Sequence, residues 1–296
     1  MEFSPKAFKI LGSMNKLAYQ GAAFILGIIV LAFIDFQFGA VLFDEDSIYP
    51  FLTLLILPAG LFFKVGWHAI TLARRSCVAI GIMVSSLNCI ALVGRMSEPD
   101  QVFIESRLLY SPLALGIILS YLFSLIETKA EYGSSLTKKE TIFSLVAFSC
   151  SLIMAWYLVS EGGSIRSLTN NFSLAMTICI LIIIQVHKDF FNLSIIERTF
   201  KASLYCCITA AALGISFWAY AAGTNQPEQI GYTLAFTLPG VLYGSAMAAF
   251  ATFAGGQTQL SEKNSMHTDW HLIESYVFIT LLILPPLNLI ELALKS

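Results

Sequence analysis

The sequence predicts an all-α membrane protein, a polytopic bundle of about nine transmembrane helices. Of its 296 residues, 57% are hydrophobic and 12% are charged, whereas a soluble domain is about 45–50% apolar and about 25% charged. So few charged side chains cannot cover a water-facing surface. The 17 basic and 19 acidic residues nearly balance, so no basic excess remains for phosphate groups, and nucleic acid is excluded as a partner.

Nine apolar stretches are long enough to cross a bilayer. A helix needs about 20 mostly apolar residues to span the hydrocarbon layer, because lipid offers its backbone no hydrogen-bond partner. The first stretch is longer than the core of a cleavable signal peptide, so we expect it to stay in the membrane. The stretches lie near residues 17–40, 48–71, 76–95, 108–127, 141–160, 169–187, 202–222, 230–254 and 270–293. Their short connections predict a single integral membrane domain over residues 1–296.

The basic residues predict the orientation of this bundle. With nine spans, thirteen of the Lys and Arg residues fall on one side of the membrane and four on the other. Since cytoplasmic connections retain positive charge, the N-terminus should be cytoplasmic and the C-terminus outside. Trp67 and Trp270 then mark the cytoplasmic interface, and Trp156 and Trp218 the outer one. We expect the protein in a bacterial cytoplasmic (inner) membrane.

Proline and glycine interrupt three of the predicted helices. Pro58 and Gly60 lie in the second span, Pro239 and Gly240 in the eighth, and a further proline pair in the ninth. Proline frees a backbone carbonyl, and many transporters build ion and substrate sites from such broken helices near the midplane. The pattern therefore predicts a transport pathway at helices two, eight and nine.

The eighth span also carries a face of small residues, formed by Gly240 and Gly244. A G-x-x-x-G pair lets a neighbouring backbone approach closely. Packing within one chain, a homo-oligomer of two or more copies, and the lining of a narrow path are the three interpretations that the sequence leaves open.

A few polar side chains inside the spans complete the predicted pathway. An ionisable group deep in lipid costs about 2.5–3.5 kcal/mol on insertion scales, so each one needs an explanation. Glu274, about one turn inside the ninth span, is the best candidate for a functional carboxylate. The predicted pathway residues are Asp35, Pro58, Gly60, Lys64, Asn88, Pro239, Gly240 and Glu274.

All four histidines, His68, His187, His267 and His271, fall on or near the cytoplasmic side. Together with nearby carboxylates they are the ligand types that a divalent metal takes, and two facing imidazoles could hold a haem. Polar interface residues without a ligand are the simpler interpretation. We predict no cofactor, with a haem or divalent metal as the alternative.

The sequence favours a transporter or channel for a small-molecule or ion substrate over an enzyme. No pair of nucleophile and base is visible, so no catalytic residue is assigned. Two alternatives stay open: a membrane-anchor subunit of a larger complex, and a membrane enzyme or redox carrier with a His-bound metal or haem on the cytoplasmic side.

Overall fold

A computed structural model describes most of the chain, and all of its regular elements there are helices. The described residues are 19–30, 32–33, 45–60, 68–94, 110–126, 138–160, 168–224, 228–255 and 273. The helices are α1 (Tyr19–Val30), α2 (Glu45–Gly60), α3 (His68–Gly94), α4 (Ser111–Ile126), α5 (Lys138–Ser160), α6 (Asn171–Val186), α7 (Ile195–Thr224) and α8 (Glu228–Gly255). A short 3-10 turn, Lys188–Phe190, follows α6. The predicted all-α class is confirmed for this part of the chain.

Within these ranges, three helices are long and apolar enough to cross a membrane: Ile70–Ala91 in α3, Ile195–Phe217 in α7 and Phe236–Ala254 in α8. A described helix overlaps each of the first eight predicted spans, and of the ninth only Ile273 is described, in helical conformation. The membrane assignment agrees with these helices, while the number of nine spans and the orientation stay predictions.

Helices α3 and α8 form the centre of the bundle. Over an 18-residue stretch of the apolar segment of α3, 89% of the residues are buried, and over the same length 78% in α8, against 44% in α7. α3 packs against α2, α4, α5 and α8, and α8 packs also against α5, α6 and α7. Since α2 packs against α5, the four helices α2, α3, α8 and α5 contact one another in a ring, and α3 also touches α5 across it. The rings of Phe148 on α5 and Phe253 on α8, 5.8 Å apart, close one side of it.

Helices α3 and α4 touch through their backbones at two glycines. A Cβ atom built on Gly116 would lie 2.5 Å from the carbonyl oxygen of Cys77, and one built on Gly81 would lie 2.7 Å from that of Pro112. One turn away, the Ser120 hydroxyl donates to a backbone carbonyl of α3 at 3.2 Å. Such close helix contacts through small residues are typical of membrane bundles, where packing replaces the hydrophobic drive to associate.

The outer faces of several helices carry large apolar side chains without protein contacts to cover them. On α5, Ile142, Phe143 and Tyr157 are each more than 60% exposed. Contiguous apolar surface of this kind is rare on proteins in water, whereas lipid chains solvate it at no cost. These faces support the membrane environment that the composition predicts.

Side-chain caps determine where α6 and α7 begin. The Asn170 side chain accepts from the amides of Phe172 and Ser173 at 3.1 and 3.0 Å, which caps α6. Before α7, the Ser194 amide donates to Glu197 and the Glu197 amide donates to the Ser194 hydroxyl, at 3.0 and 3.2 Å. This reciprocal capping box satisfies two of the free amides at a helix start, so α7 begins at Ile195 rather than near residue 202.

Candidate functional site

Helix α3 carries buried polar side chains along most of its length. Each of them is at most 5% exposed, although the helix is long and apolar enough to span a membrane. They are Thr71, Arg75, Ser76, Ser85, Ser86 and Asn88. Polar groups buried in an apolar bundle cost free energy unless they are hydrogen-bonded, so the hydrogen bonds of these residues decide whether they are structural.

Several buried hydroxyls of the described helices donate to a carbonyl of their own preceding turn. Those of Ser76, Ser151, Ser245 and Thr252 do so at 2.7–3.1 Å. Ser85 and Ser86 differ. Both are completely buried, and neither hydroxyl has a hydrogen-bond partner among the described residues. A buried hydroxyl without a partner costs about 1–3 kcal/mol, so this adjacent pair needs another explanation.

The indole nitrogen of Trp156 is a further buried polar atom without a partner in the described part of the chain. Trp156 lies on α5, which packs against α3, and its side chain is 3% exposed. Trp156 therefore belongs to the bundle core, and its position at the depth of the outer membrane interface stays a prediction. An indole N–H can only donate, so whatever meets it must offer an acceptor.

Four of the six buried polar residues of α3 lie on one side of the helix. With 3.6 residues per turn, Thr71, Arg75, Ser85 and Ser86 fall within a sector of about 100°. We call this sector the polar face of α3. Asn88 lies outside the sector, on the side of Gly81, where α3 touches α4. Asn88, one of the predicted pathway residues, is therefore buried but does not belong to this polar face.

Pro239 does not interrupt its helix. α8 continues from Glu228 to Gly255 with Pro239 inside it, so the expected break is absent there. Nearby carbonyls of α8 accept from other helices instead: the Ser173 hydroxyl of α6 donates to the Phe236 carbonyl at 2.6 Å, and the Cys206 thiol of α7 reaches the Gly240 carbonyl at 3.5 Å. The carbonyl that Pro239 leaves without a helical donor is that of Ala235, four residues before it. Contacts from neighbouring helices to the backbone around a proline help a membrane helix to tolerate it.

The small-residue face of α8 lies against α7. A Cβ atom on Gly240 would come within 2.7 Å of the Ala210 Cβ, and one on Gly244 would collide with the Cys207 sulfur. Other protein atoms therefore fill the space beside both glycines. A second copy of the chain could reach this face only by displacing α7, and the homo-oligomer stays a prediction.

The other predicted pathway residues are only partly described. α2 is described up to Gly60, with Pro58 in its last turn. Residues 61–67 of the predicted second span lie outside the described residues, and residues 68–71 belong to α3. Asp35, Lys64 and Glu274 lie outside the described residues. Ile273, next to Glu274, packs against the hydrophobic core.

Of the four histidines, His187 alone has a described side chain. It ends α6: its amide donates to the Ile183 carbonyl at 3.0 Å, and its Nδ1 accepts from the Asp189 amide at 3.4 Å. His68 is the first residue of α3, whereas His267 and His271 lie outside the described residues. Within the described ranges, no group of three or more His, Cys, Asp and Glu side chains could hold a metal ion.

Arg75 is the main residue that the sequence analysis missed. We assigned Arg74 and Arg75 to the connection between the second and third spans, but α3 begins at His68, which places both in its second turn. Arg75 is only 3% exposed. The sequence does indicate that the helix continues through the arginine pair, because apolar residues lie on both sides of it: Leu72 and Ala73 before, and Cys77 and Val78 after.

No protein-family model, curated protein or solved structure matches this chain.

Proposed function

We propose that the chain is a multi-pass membrane transporter or channel for a small solute, with its pathway along the polar face of α3. The observation that carries the proposal is the pair of completely buried hydroxyls on Ser85 and Ser86 that have no hydrogen-bond partner among the described residues. Polar groups kept inside a membrane bundle at a cost commonly mark solute or ion pathways.

Hydroxyl groups suit a pathway better than a tight binding site. Conduction requires contacts that are favourable enough for a solute to enter and weak enough for it to leave. Serine hydroxyls can both donate and accept, so they can replace part of a solute's hydration shell without holding a charge. The Trp156 N–H, on the neighbouring α5, offers one more donor.

The ring of helices α2, α3, α5 and α8 is the proposed place of the pathway. α3 packs against both α2 and α8, the helices in which the sequence puts Pro58 and Pro239. We no longer propose that Gly240 lines the path, because Ala210 fills the space beside it. From the sequence, Glu274 remains our candidate for a coupling carboxylate, with Asp35 and Lys64 as further pathway residues.

The proposal includes the orientation, with the N-terminus cytoplasmic, the C-terminus outside and nine spans in a bacterial inner membrane. In this arrangement α3 starts on the cytoplasmic side, and Ser85 and Ser86 lie in its outer half. The support is the bias of the basic residues together with the three helices that could cross a membrane.

Cysteine accessibility tests whether water reaches the polar face. The background carries serine in place of the two exposed cysteines, Cys150 and Cys179, and its labelling gives the baseline. We expect a membrane-impermeant methanethiosulfonate reagent to label Ser85→Cys and Ser86→Cys in intact vesicles. Val84→Cys is the matched control: it neighbours the pair and is equally buried, but points away from the polar face. If neither serine position is labelled above the baseline, or if Val84→Cys reacts as fast, the proposed pathway is wrong.

Flux measurements test the function itself. The purified chain in proteoliposomes should carry at least one member of a panel of small neutral solutes, cations and anions faster than protein-free vesicles do. Ser85→Ala and Ser86→Ala should reduce that flux, since they remove the hydroxyls with little change in volume. A chain that carries none of the panel would contradict the proposal.

A further inference from the structure

Arg75 adds a fixed positive charge to the polar face of α3. It lies five residues inside the apolar segment Ile70–Ala91 and is 3% exposed. Eleven residues, close to three full turns, separate it from Ser86, so both side chains leave the helix in nearly the same direction. We infer that the pathway selects small anions and that Arg75 is its selecting residue, an inference that rests on the proposed function.

The burial of Arg75 distinguishes it from the other basic residues with described side chains. A long cationic side chain near a membrane interface normally turns its charged end towards water. Lys188 does so and is exposed, whereas Arg74, next to Arg75, is partly exposed. The whole guanidinium of Arg75 remains inside the bundle. Retaining an arginine there is costly, and such residues usually mark a function.

The chemistry of the face favours an anion whose oxygens accept hydrogen bonds. A guanidinium stays charged at any physiological pH and presents five N–H donors but no acceptor. Basic side chains select anions in pores. Further along the same face, the hydroxyls of Ser85 and Ser86 can donate hydrogen bonds. The indole N–H of Trp156, on the neighbouring α5, can donate one and accept none. Small carboxylates and phosphate match such a series of donors, because each of their oxygens accepts.

The distances along α3 suggest successive contacts, not one closed site. At 1.5 Å per residue, Arg75 and Ser86 are about 16 Å apart along the axis. Arg75 would therefore attract the anion near the start of α3, and the neutral hydroxyls would take it over further along. The weaker contacts at the hydroxyls would allow release.

Osmotic swelling of proteoliposomes, followed by stopped-flow light scattering, tests the inference. The probes are potassium chloride, potassium acetate and potassium phosphate, with valinomycin to balance charge, and glycerol as the neutral reference. We expect wild-type vesicles to take up acetate or phosphate faster than glycerol. Arg75→Gln should lower the ratio of anion flux to glycerol flux about tenfold, which corresponds to about 1.4 kcal/mol. Lys188→Gln, which removes an exposed positive charge, should leave the ratio unchanged.

Three outcomes separate the inference from the proposed function. If wild-type vesicles transport none of the probes nor any other solute of the panel, the proposed function fails. If they carry solutes but the Arg75→Gln ratio equals the wild-type ratio, transport stands and the anion inference is wrong. If Arg75→Gln does not fold, Arg75→Lys tests the anion inference in its place. It keeps the charge but loses the planar fork that fits oxyanions, so acetate and phosphate flux should fall relative to chloride, and an unchanged ratio would overturn the inference.

Discussion

Adding one methyl group to α4 tests the close contact on which the position of α3 depends. In Gly116→Ala the new Cβ atom would lie 2.5 Å from the carbonyl oxygen of Cys77 and 3.3 Å from the Cα of Gly81. Both are backbone atoms of α3, so no side-chain rotation can relieve the collision. The two helices would have to move apart by about 0.9 Å before the contact becomes ordinary, since normal van der Waals contact begins near 3.4 Å.

The expected loss of stability follows from two opposing terms. Overpacking of this kind costs about 1–3 kcal/mol, whereas replacing glycine by alanine in a helix gains up to about 1 kcal/mol. Gly21→Ala in α1 is the matched control, because no atom of the described residues lies within 4 Å of its Cβ position. The difference in unfolding free energy between the two variants should therefore approach the full cost of overpacking.

Thermal unfolding of the purified protein in detergent measures this difference. Gly116→Ala should melt about 2–12 °C below Gly21→Ala, if each kcal/mol shifts the midpoint of a chain of this size by about 2–4 °C. Gly81→Ala should also destabilise, and the double variant should lose less than the sum of the two, because one separation of the helices relieves both collisions. Equal midpoints for Gly116→Ala and Gly21→Ala would refute the backbone contact between α3 and α4.

Three further substitutions test the contacts that hold α6, α7 and α8 together. Asn170→Ala removes the cap of α6 and should cost about 1 kcal/mol, whereas Asn170→Asp should retain most of the stability; thermal unfolding of the pair checks this. Tyr243→Phe removes a hydroxyl that donates to the Leu168 carbonyl at 2.6 Å and should cost about 1 kcal/mol by the same assay; an unchanged midpoint would exclude this bond. Arg198→Lys loses a guanidinium that donates to the carbonyls of Leu193 and Gln185, at 3.0 and 2.8 Å. Backbone amides in the α6–α7 connection should therefore exchange hydrogen faster than in wild type, and the exchange rates of α5 serve as the internal reference.

The helix starts show which local signals the sequence contained. Ser194 and Glu197 form the serine-x-x-glutamate pattern of a capping box, which a reader of the sequence could have used to begin α7 at Ile195. Hydropathy located the apolar part of that helix but not its polar first turns. The sequence left three roles open for Gly240: packing, a homo-oligomer and the lining of a path. The structure was needed to choose among them, because the spacing of glycines does not show which helix lies beside them.

The predicted orientation depends little on the corrected position of Arg74 and Arg75. If both are no longer counted as residues of a cytoplasmic connection, eleven basic residues still oppose four. The rule concerns residues near span ends as well as those in loops. A topology experiment with reporters fused after α2 and α4 would measure the orientation directly, and both fusions should report from the cytoplasm.

The apolar residues around Arg74 and Arg75 indicated that the helix continues through them. The burial of Arg75 and of the serine pair could not be identified in this way, because hydropathy is read along the chain whereas burial depends on what surrounds each side of a helix. A charged residue at the edge of an apolar stretch is normally assigned to water, which is correct for a helix that faces lipid. α3 is enclosed by α2, α4, α5 and α8, so its polar side chains meet protein rather than lipid and do not mark the end of the span, although their burial is still costly. If lipid is assumed to surround every helix, the predicted span of the central helix will therefore be too short. In this chain that error removed Arg75 from the third span, and with it the charge that would select the solute.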